Sequence, residues 1–561
     1  MTARNPTSAT RGAERFRDWR TARGMFRSRA GVESALGLLF CLSLAGGVAA
    51  CQGCHAAQVT ASPLRSAPPD IPTVRLYFIS DLAGALEPCG CTKDQLGGLD
   101  HAVAWIASER SRAPASALVL AGPTFFMDEA LAPDHSDQDI LKAETIAYGI
   151  KAAGCTAFSP GRNDRVAGDG ELARLQLLSG APALSTAVTS PNDGRGSARL
   201  VVINGVPIGF IGVGLPSEGP VAKSLEEEVS VEAAALKSHG AKVLVAVAAV
   251  GRGEAKRIAE SVPDLLAVVV GSSKSRGESN TEAPPGERIG NVVIAETANH
   301  LQSVGVLDLF VRDGSYVFAD ATGLERAHRR ADLTRRADEL HIKISNWERD
   351  KTISEADLAA RRDDLSRLEA DRASLDQQPA PAVGSFFRYT VKEIRESLGH
   401  DAIVEEAVAR YYKAVNDHNR DIFASRMPPP AMRGQPAYVG VVVCAKCHEP
   451  AKTFWETTKH SHAYATLSAQ SKEYNLDCVS CHVTGYDQPG GSSVTHVELL
   501  ENVQCESCHG AGSLHAARPK VEVPDKKPKE TICTQCHHPP HVELFDAKAK
   551  LTEILGPGHG F

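Results

Sequence analysis

The sequence lacks two features, and each absence excludes a class of protein. Its 61 basic and 68 acidic residues are intermixed and give a formal net charge of −7, so it has no polybasic surface for nucleic acid and no acidic tail. The uncharged, leucine-rich stretch at residues 34–50 is too short to be a comfortable permanent membrane-spanning helix. With 561 residues and 43% apolar composition, the chain is also too large for one small stapled scaffold. We therefore expect two to four structural units and no nucleic-acid partner.

The amino terminus predicts export. Arg27 and Arg29 precede the apolar stretch, which ends in small residues, as in a secretory signal. We assign 1–50 to the signal, with translation starting at either Met1 or Met25, and 51–72 to a tether. Residues 48–51 resemble a bacterial lipobox, which implies a lipid on Cys51; the alternative is cleavage there without lipid. The expected location is periplasmic, with the protein anchored to a membrane as a lipoprotein.

Short apolar runs alternate with helical patterns through the next part of the chain. This alternation predicts one domain of α/β or α+β type over 73–322, and we favour α/β. The runs that we interpret as strands lie at 74–79, 117–120, 181–184, 200–203, 208–213, 243–247, 266–270, 292–294 and near 307–318.

A charged region follows, with a thin apolar seam at heptad spacing. Leucines and other apolar residues recur every three or four positions, and Ser354 with Asp357 resembles a capping box. We predict a helical hairpin of coiled-coil type over 323–378, with a spacer role, then a helical linker region over 379–436 with a helix at about 401–418. A heptad seam can close within one chain or join two chains, so the oligomeric state stays open.

The remaining segment, 437–561, contains four Cys-x-x-Cys-His motifs. Two thiols about one helical turn apart can add to the two vinyl groups of one haem, and the following histidine comes under the iron as proximal ligand. Structural zinc also uses paired cysteines, but it gives no reason for a histidine after every pair. We therefore predict four haem c groups, with thioether bonds to Cys444, Cys447, Cys478, Cys481, Cys505, Cys508, Cys533 and Cys536 and proximal ligands His448, His482, His509 and His537.

Distal ligands must come from the other histidines of this segment. Two imidazoles on one iron favour low-spin electron transfer, whereas a haem without a distal ligand is open to small molecules. The candidates are His460, His462, His496, His515, His538, His541 and His559.

Three stretches of this segment, 454–465, 478–485 and 503–515, resemble the tetrahaem cytochromes c of nitrifying bacteria. The resemblance implies a distal histidine at His460 or His462 and another at His515. We retain His541 as a further candidate. No recognisable motif surrounds His496 or His559.

The amino-terminal domain resembles calcineurin-like metallophosphoesterases of the periplasmic 5′-nucleotidase type. The resemblance rests on segments 76–84, 97–99, 122–123, 161–164 and 270–274, and it implies a four-layer α/β sandwich with a two-metal site. Asp81 is kept. The other ligand positions carry Ala83, Pro123, Arg162-Asn163, Ser272 and Lys274. We therefore expect a degenerate domain without metal-dependent hydrolysis, and we assign no catalytic residue.

Two further cysteine motifs fall outside these assignments. Cys89 and Cys91 could pair with Cys155, ligate a metal or haem edge, or be structural. A fifth Cys-x-x-Cys-His motif runs from Cys51 to His55, but lipidation of Cys51 would exclude a fifth haem.

These patterns favour an electron carrier that exchanges electrons with redox partner proteins through weak, transient docking. The alternative is a haem-dependent oxidoreductase that acts on a small nitrogen or sulfur compound at an open iron. A third possibility is a protein that binds a small-molecule ligand or a partner through the degenerate phosphoesterase fold.

Overall fold

The computed structural model describes residues 71–88, 95–186, 196–214, 224–272, 279–348, 353–375, 381–539, 541–542 and 545–559. Every described residue belongs to one compact unit, 65–561. The predictions for the signal, the tether, Cys51, Cys54, His55, Cys89, Cys91 and Lys274 lie outside the described residues. No helix of the described part is long and apolar enough to cross a membrane.

Two six-stranded sheets form the amino-terminal domain. The first has the order β11-β12-β10-β1-β2-β3, and the second has the order β4-β5-β6-β7-β9-β8. The strands are β1 Val74–Ser80, β2 Ser116–Ala121, β3 Ala157–Ser159, β4 Ala198–Ile203, β5 Val206–Gly214, β6 Val243–Ala249, β7 Ala267–Gly271, β8 Glu287–Ile289, β9 Val292–Ala295, β10 Ser303–Phe310, β11 Ala319–Asp320 and β12 Phe386–Glu393.

The central strands are parallel, and this explains their continuous apolar sequences. β1 pairs in parallel with β2 and antiparallel with β10, and β5, β6, β7 and β9 pair in parallel. Strands covered on both faces need apolar side chains at every position, and all seven residues of β6 are buried. The parallel pairs bring the carboxyl ends of β1, β2 and β3 to the same edge of the first sheet.

Helices accompany both sheets of this domain. They are α1 Leu99–Arg112, α2 Ser136–Ala152, α3 Asp169–Ser179, α4 Leu225–Ser238, α5 Arg252–Ser261, α6 Leu324–Trp347, α7 Glu355–Ser374 and α8 Ala402–Phe423. Helices α1, α2, α3 and α8 share a core with the first sheet, whereas α4 and α5 share one with the second. A third core lies between the sheets. These layers confirm the predicted four-layer sandwich.

The hairpin α6–α7 is an insertion in this domain. It separates β11 from β12, and β12 then pairs along its whole length with β10, from Phe386 opposite Phe310 to Glu393 opposite Ser303. The seam residues Leu333, Ala337 and Leu358 are buried. Ser354 caps α7 by accepting a hydrogen bond from the Asp357 amide at 3.1 Å.

Two sequence-based assignments are wrong. Residues 379–436 are not a helical linker: the segment contains β12, and α8 packs Val404, Val408 and Tyr411 into the core of the first sheet. Residues 181–184 form isolated bridges to Phe158 and Gly196 instead of a strand. In both cases the local composition does not reveal what the segment pairs with. β12 follows a charged hairpin, and 181–184 lies at the edge of the first sheet.

The carboxy-terminal segment is mostly irregular, with short helices, as predicted. They are α9 Val441–Trp455, α10 Ala463–Ser468, α11 Val479–His482, α12 Cys505–His509, α13 Ser513–Ala517 and α14 Ala547–Ile554. Its apolar clusters are small, for example Tyr464, Val479, Val483 and Val497. So small a core indicates that another component fills the interior.

Candidate functional site: a haem-binding segment

Local helical structure presents the cysteine pairs. Cys478 lies at the start of α11, Cys505 begins α12, and the first pair lies within α9, whose backbone kinks at His448. The fourth pair lies at the 3₁₀ turn Glu530–Gln535. One turn places both thiols of a motif on the same side, with the histidine next to them. All eight thiols are free of disulfide bonds.

Three of the four predicted proximal histidines face a second imidazole ring. The ring centroids are 6.2 Å apart for His448 and His515, 6.3 Å for His460 and His537, and 6.2 Å for His509 and His559. An imidazole nitrogen bonds a metal at about 2 Å, so two rings on opposite sides of one iron have centroids roughly 6.3 Å apart. The three pairs therefore fit bis-histidine haem ligation.

Hydrogen bonds orient several of these rings. Nδ1 of His482 lies 2.6 Å from the Ala463 carbonyl oxygen, Nδ1 of His509 lies 2.7 Å from that of Asp525, and Nδ1 of His515 lies 2.6 Å from that of Glu522. An Nδ1–H that donates to a carbonyl leaves Nε2 as the ligating atom and fixes the ring plane.

His482 differs from the other three proximal histidines. In the described part of the chain, no histidine ring pairs with it at 6 Å. His538 and His541 contact each other, with centroids 5.9 Å apart at 68°. Burial and the neighbouring His538 lower the pKa of His541, which favours the neutral ring.

The structure distinguishes between other candidates. His460 faces His537, whereas its neighbour His462 is exposed and has no ring contact within the described residues. Nε2 of the half-buried His496 lies 2.9 Å from the Ala424 carbonyl oxygen, and this ring belongs to no ring pair among the described residues. His559, which has no motif around it, faces His509.

Thiols from different motifs lie next to each other. The neighbouring Cys505 raises the pKa of Cys444, and the neighbouring Cys536 lowers the pKa of Cys481 to about 6. The first motif is thus adjacent to the third, and the second is adjacent to the fourth. Burial and the nearby Cys533 raise the pKa of Cys508, which places the third motif beside the fourth.

Sequence reasoning missed an organising residue inside the third motif. Glu506 is 3% exposed, and its carboxylate accepts hydrogen bonds from the amides of Val439, Gly440 and Gly512 at 2.7–3.1 Å. It connects the start of α9 with the turn before His515. The signal available in the sequence was an acidic residue between the two cysteines of a haem motif.

The α/β domain holds the segment before the second motif. Lys142 of α2 forms an ion pair with Asp477 at 2.8 Å, and Gln138 accepts a hydrogen bond from the Leu476 amide at 3.0 Å. Asn419 of α8 donates to the Tyr474 carbonyl at 2.8 Å, and Lys472 lies 2.6 Å from Glu87. Cys478 therefore lies directly beside this interface.

The phosphoesterase-like positions meet at the carboxyl edge of the sheets. Asp81 accepts a hydrogen bond from the Ser272 amide at 2.6 Å, and the Ala83 amide donates to the Pro123 carbonyl at 2.9 Å. Asp164 accepts from the amides of Thr124, Phe125 and Gly161, among others. Burial raises the pKa of Asp164 to about 6, which these amide donors partly offset.

Cys155 is a free thiol, and its Sγ lies 3.3 Å from the Ala157 carbonyl oxygen. Burial raises the pKa of this thiol to about 12. Its suggested partners, Cys89 and Cys91, lie outside the described residues.

Part of this segment resembles known proteins. Residues 443–510 match the family described as cytochrome c554 and c-prime. The segment is cytochrome c554-like. Cytochrome c-554 of Nitrosomonas europaea is 34% identical over 85 residues, which are 12% of this chain and 36% of that protein. The chain thus matches about a third of that relative's length. The cytochrome c554 match supports haem c as the cofactor of this segment.

The α/β domain is similar to solved nucleotidases. One is a 5′-nucleotidase precursor from Thermus thermophilus, with 15% identity, a TM-score of 0.41 and coverage of 65% of this chain and 61% of that chain. Another is an NAD nucleotidase from Haemophilus influenzae, with 15% identity, a TM-score of 0.39 and coverage of 65% and 63%. The layered architecture itself follows from the strand order and the three cores described above.

Proposed function

We propose that this protein is a periplasmic electron carrier with four haem c groups, three of them held by two histidines each. The single observation that supports this function best is the set of three imidazole pairs at 6.2–6.3 Å. The separation of the two rings in each pair fits ligands on opposite sides of one iron. Three of the four motifs contribute their histidine to such a pair. The pairs are His448 with His515, His460 with His537, and His509 with His559.

When bound, haem c supplies reversible one-electron chemistry at its iron. The chain's own residues set the conditions for it. The cysteines would hold each haem covalently and the paired histidines would ligate its iron, while the Nδ1 hydrogen bonds orient the rings. The adjacent thiols support an order of haems in which the first neighbours the third, the third the fourth, and the fourth the second.

The α/β domain serves as a scaffold in this proposal and not as a hydrolase. The first histidine position is Ala83, the bridging-aspartate position is Pro123, and the remaining acceptor at Asp81 is engaged by the Ser272 amide. Two divalent cations at this edge would lack charge compensation and nitrogen ligands. The domain instead binds residues 472–477 and so positions the second haem motif.

His482 favours a second candidate function. A haem on this histidine with an open distal side could bind a small nitrogen or sulfur compound, which would make the protein a haem-dependent oxidoreductase. The specific observation is that no described imidazole pairs with His482, whereas the other three proximal histidines each have a partner.

The amino terminus supports export and attachment to a membrane. We infer that Cys51 carries a lipid, as its lipobox-like context implies. In a bacterial host that processes lipoproteins, replacing Cys51 by alanine should move the protein from the membrane to the soluble fraction.

An anaerobic reductive titration of the matured protein tests the function. The electron-carrier proposal predicts uptake of four electrons per chain and full reoxidation by a redox-protein acceptor, without turnover of nitrite or hydroxylamine. A spectral shift of one haem with either compound, together with its turnover, would support the oxidoreductase instead. Uptake of fewer than four electrons by protein containing four irons would contradict the proposal.

A further inference from the structure

A compact group of metal-ligating atoms lies in the α/β domain, away from the haem motifs. Nδ1 of His400 lies 2.7 Å from Oδ2 of Asp100, and Nδ1 of His101 lies 3.5 Å from the same oxygen. The Gly399 carbonyl oxygen lies 2.8 Å from Nδ1 of His101. The group thus contains two imidazole nitrogens, one carboxylate oxygen and one backbone oxygen.

We propose that these four donors form a structural site for a divalent cation of the Zn²⁺ class. In a tetrahedral site with metal–ligand bonds of about 2.0–2.2 Å, neighbouring donors lie roughly 3.3–3.6 Å apart. The separation of 3.5 Å fits this value, whereas those of 2.7 and 2.8 Å are hydrogen-bond distances that must lengthen when a cation replaces the shared protons. Imidazole nitrogen and carboxylate oxygen are the donor types that such cations prefer.

The backbone around this site holds the ligands in place. The His101 side chain is 6% exposed and packs against Gly98, where a Cβ atom would come within 2.5 Å of the imidazole Cδ2. Gly98 and Gly399 both adopt positive φ, at 102° and 93°. The Asp401 amide donates to the Asp100 carbonyl at 3.2 Å and connects the two segments.

A cation can reach this site from solvent, because the His400 side chain is 45% exposed. On binding, Nδ1 of His400 and Nδ1 of His101 must each lose the proton that they share with Asp100 and donate to Gly399, respectively. In a neutral ring this proton moves to Nε2, and in an imidazolium it passes to solvent, so that both Nδ1 atoms become ligands of a neutral imidazole. All four donors belong to the protein, as in structural zinc sites, so no position is left for a substrate.

The site would connect α1 with α8, a helix that contacts the haem segment. Asp100 and His101 lie in the first turn of α1, and Gly399 and His400 immediately precede α8. Helix α8 carries Asn416 and Asn419, which hydrogen-bond Tyr474. A bound cation would therefore stabilise the start of the helix that holds the segment before Cys478.

The test uses the full-length, haem-loaded protein after chelator treatment and dialysis. Zn²⁺ alone is titrated against the wild type, His400→Gln, Asp100→Asn and the control His239→Gln, an exposed histidine that follows α4. Calorimetry gives the affinity, and hydrogen–deuterium exchange reports on residues 396–404. The exposed position of His400 makes its variant the one expected to fold normally.

The proposal predicts one zinc equivalent in the wild type and in His239→Gln, with increased amide protection at 396–404. His400→Gln and Asp100→Asn should bind this equivalent at least tenfold more weakly, with no protection change. Equal zinc binding by wild type and His400→Gln, or binding without protection at 396–404, would overturn it. In that case the group is a hydrogen-bonded contact between α1 and the α8 loop.

Discussion

At the scale of single residues, His460 and His462 differ in whether the side chain faces another imidazole ring. The family resemblance allowed either histidine as the distal ligand, and their side chains differ by two positions in one 3₁₀ turn, Lys459–His462. Only the fold separates them, because it places His460 opposite His537 and leaves His462 exposed. No local pattern could make that choice.

We predict that His460→Ala removes one of three low-spin haem signals, because the iron above His537 loses its second imidazole. Electron paramagnetic resonance of the oxidised protein should lose about a third of its low-spin intensity and gain a high-spin signal. His462→Ala is the matched control and should leave the spectrum unchanged. Loss of low-spin signal in the control, and not in His460→Ala, would reverse the assignment.

His300 makes the α/β domain sensitive to acid. It is 3% exposed, its amide donates to the Asp81 carbonyl, and burial lowers its pKa to about 4. Because the folded pKa lies below the unfolded value, this contribution to stability is present above about pH 6.5 and is lost as the pH falls toward 4.

Between pH 8 and pH 5 the free energy of unfolding should therefore fall by about 2 kcal/mol through His300 alone. His300→Asn, which tolerates the residue's φ of 52°, should remove that part of the pH dependence. Denaturant unfolding followed by circular dichroism at both pH values measures it. His239→Asn is the control, and an unchanged pH dependence in His300→Asn would contradict the account.

At the scale of elements, Glu506 connects three backbone segments of the haem region. We expect Glu506→Gln to cost about 2 kcal/mol of unfolding free energy, because a neutral amide replaces a buried carboxylate that accepts from three amides. Denaturation followed at the haem absorption band measures this cost. Glu522→Gln, which breaks an exposed ion pair with Arg518, should change it by less than about 1 kcal/mol. Equal costs would contradict the role of Glu506.

The ion pair between α2 and the segment before Cys478 gives a prediction for the domain interface. Lys142 is 21% exposed and Asp477 is 40% exposed, so we expect Lys142→Met to cost only about 1 kcal/mol. Hydrogen exchange at 472–478 should accelerate, because Asp477 loses its cation. Lys151→Met on the same helix is the control. No change in exchange at 472–478 would show that Gln138 and Asn419 hold this segment without the ion pair.

The elements also show which parts of the fold the sequence could predict. Continuous apolar runs such as 243–247 and 208–213 correctly predicted strands, because a run of apolar residues can be recognised within a few positions of the sequence. Strand β12 was missed, since its polar residues and the preceding hairpin resemble a linker, and its pairing with β10 spans about 80 residues of chain. The pairing of His509 with His559 was likewise beyond motif reasoning, because no local pattern marks His559.

On the scale of the whole molecule, the haem segment and the α/β sandwich are in direct contact. The cytochrome c554-like segment has little apolar core of its own, and an α/β sandwich supports it through α2 and α8. Residues 472–477, which the sandwich binds, lead directly into the motif whose histidine has no partner ring among the described residues. In our proposal, the sandwich positions the second haem motif and the haem segment transfers electrons.

The most direct measurement is quantitative electron paramagnetic resonance on the fully oxidised protein, with iron determined on the same sample. The account predicts four irons per chain, three low-spin and one, on His482, high-spin. Four low-spin irons would show a missed distal ligand for His482. Fewer than three low-spin irons would contradict the histidine pairs on which the proposed electron carrier rests.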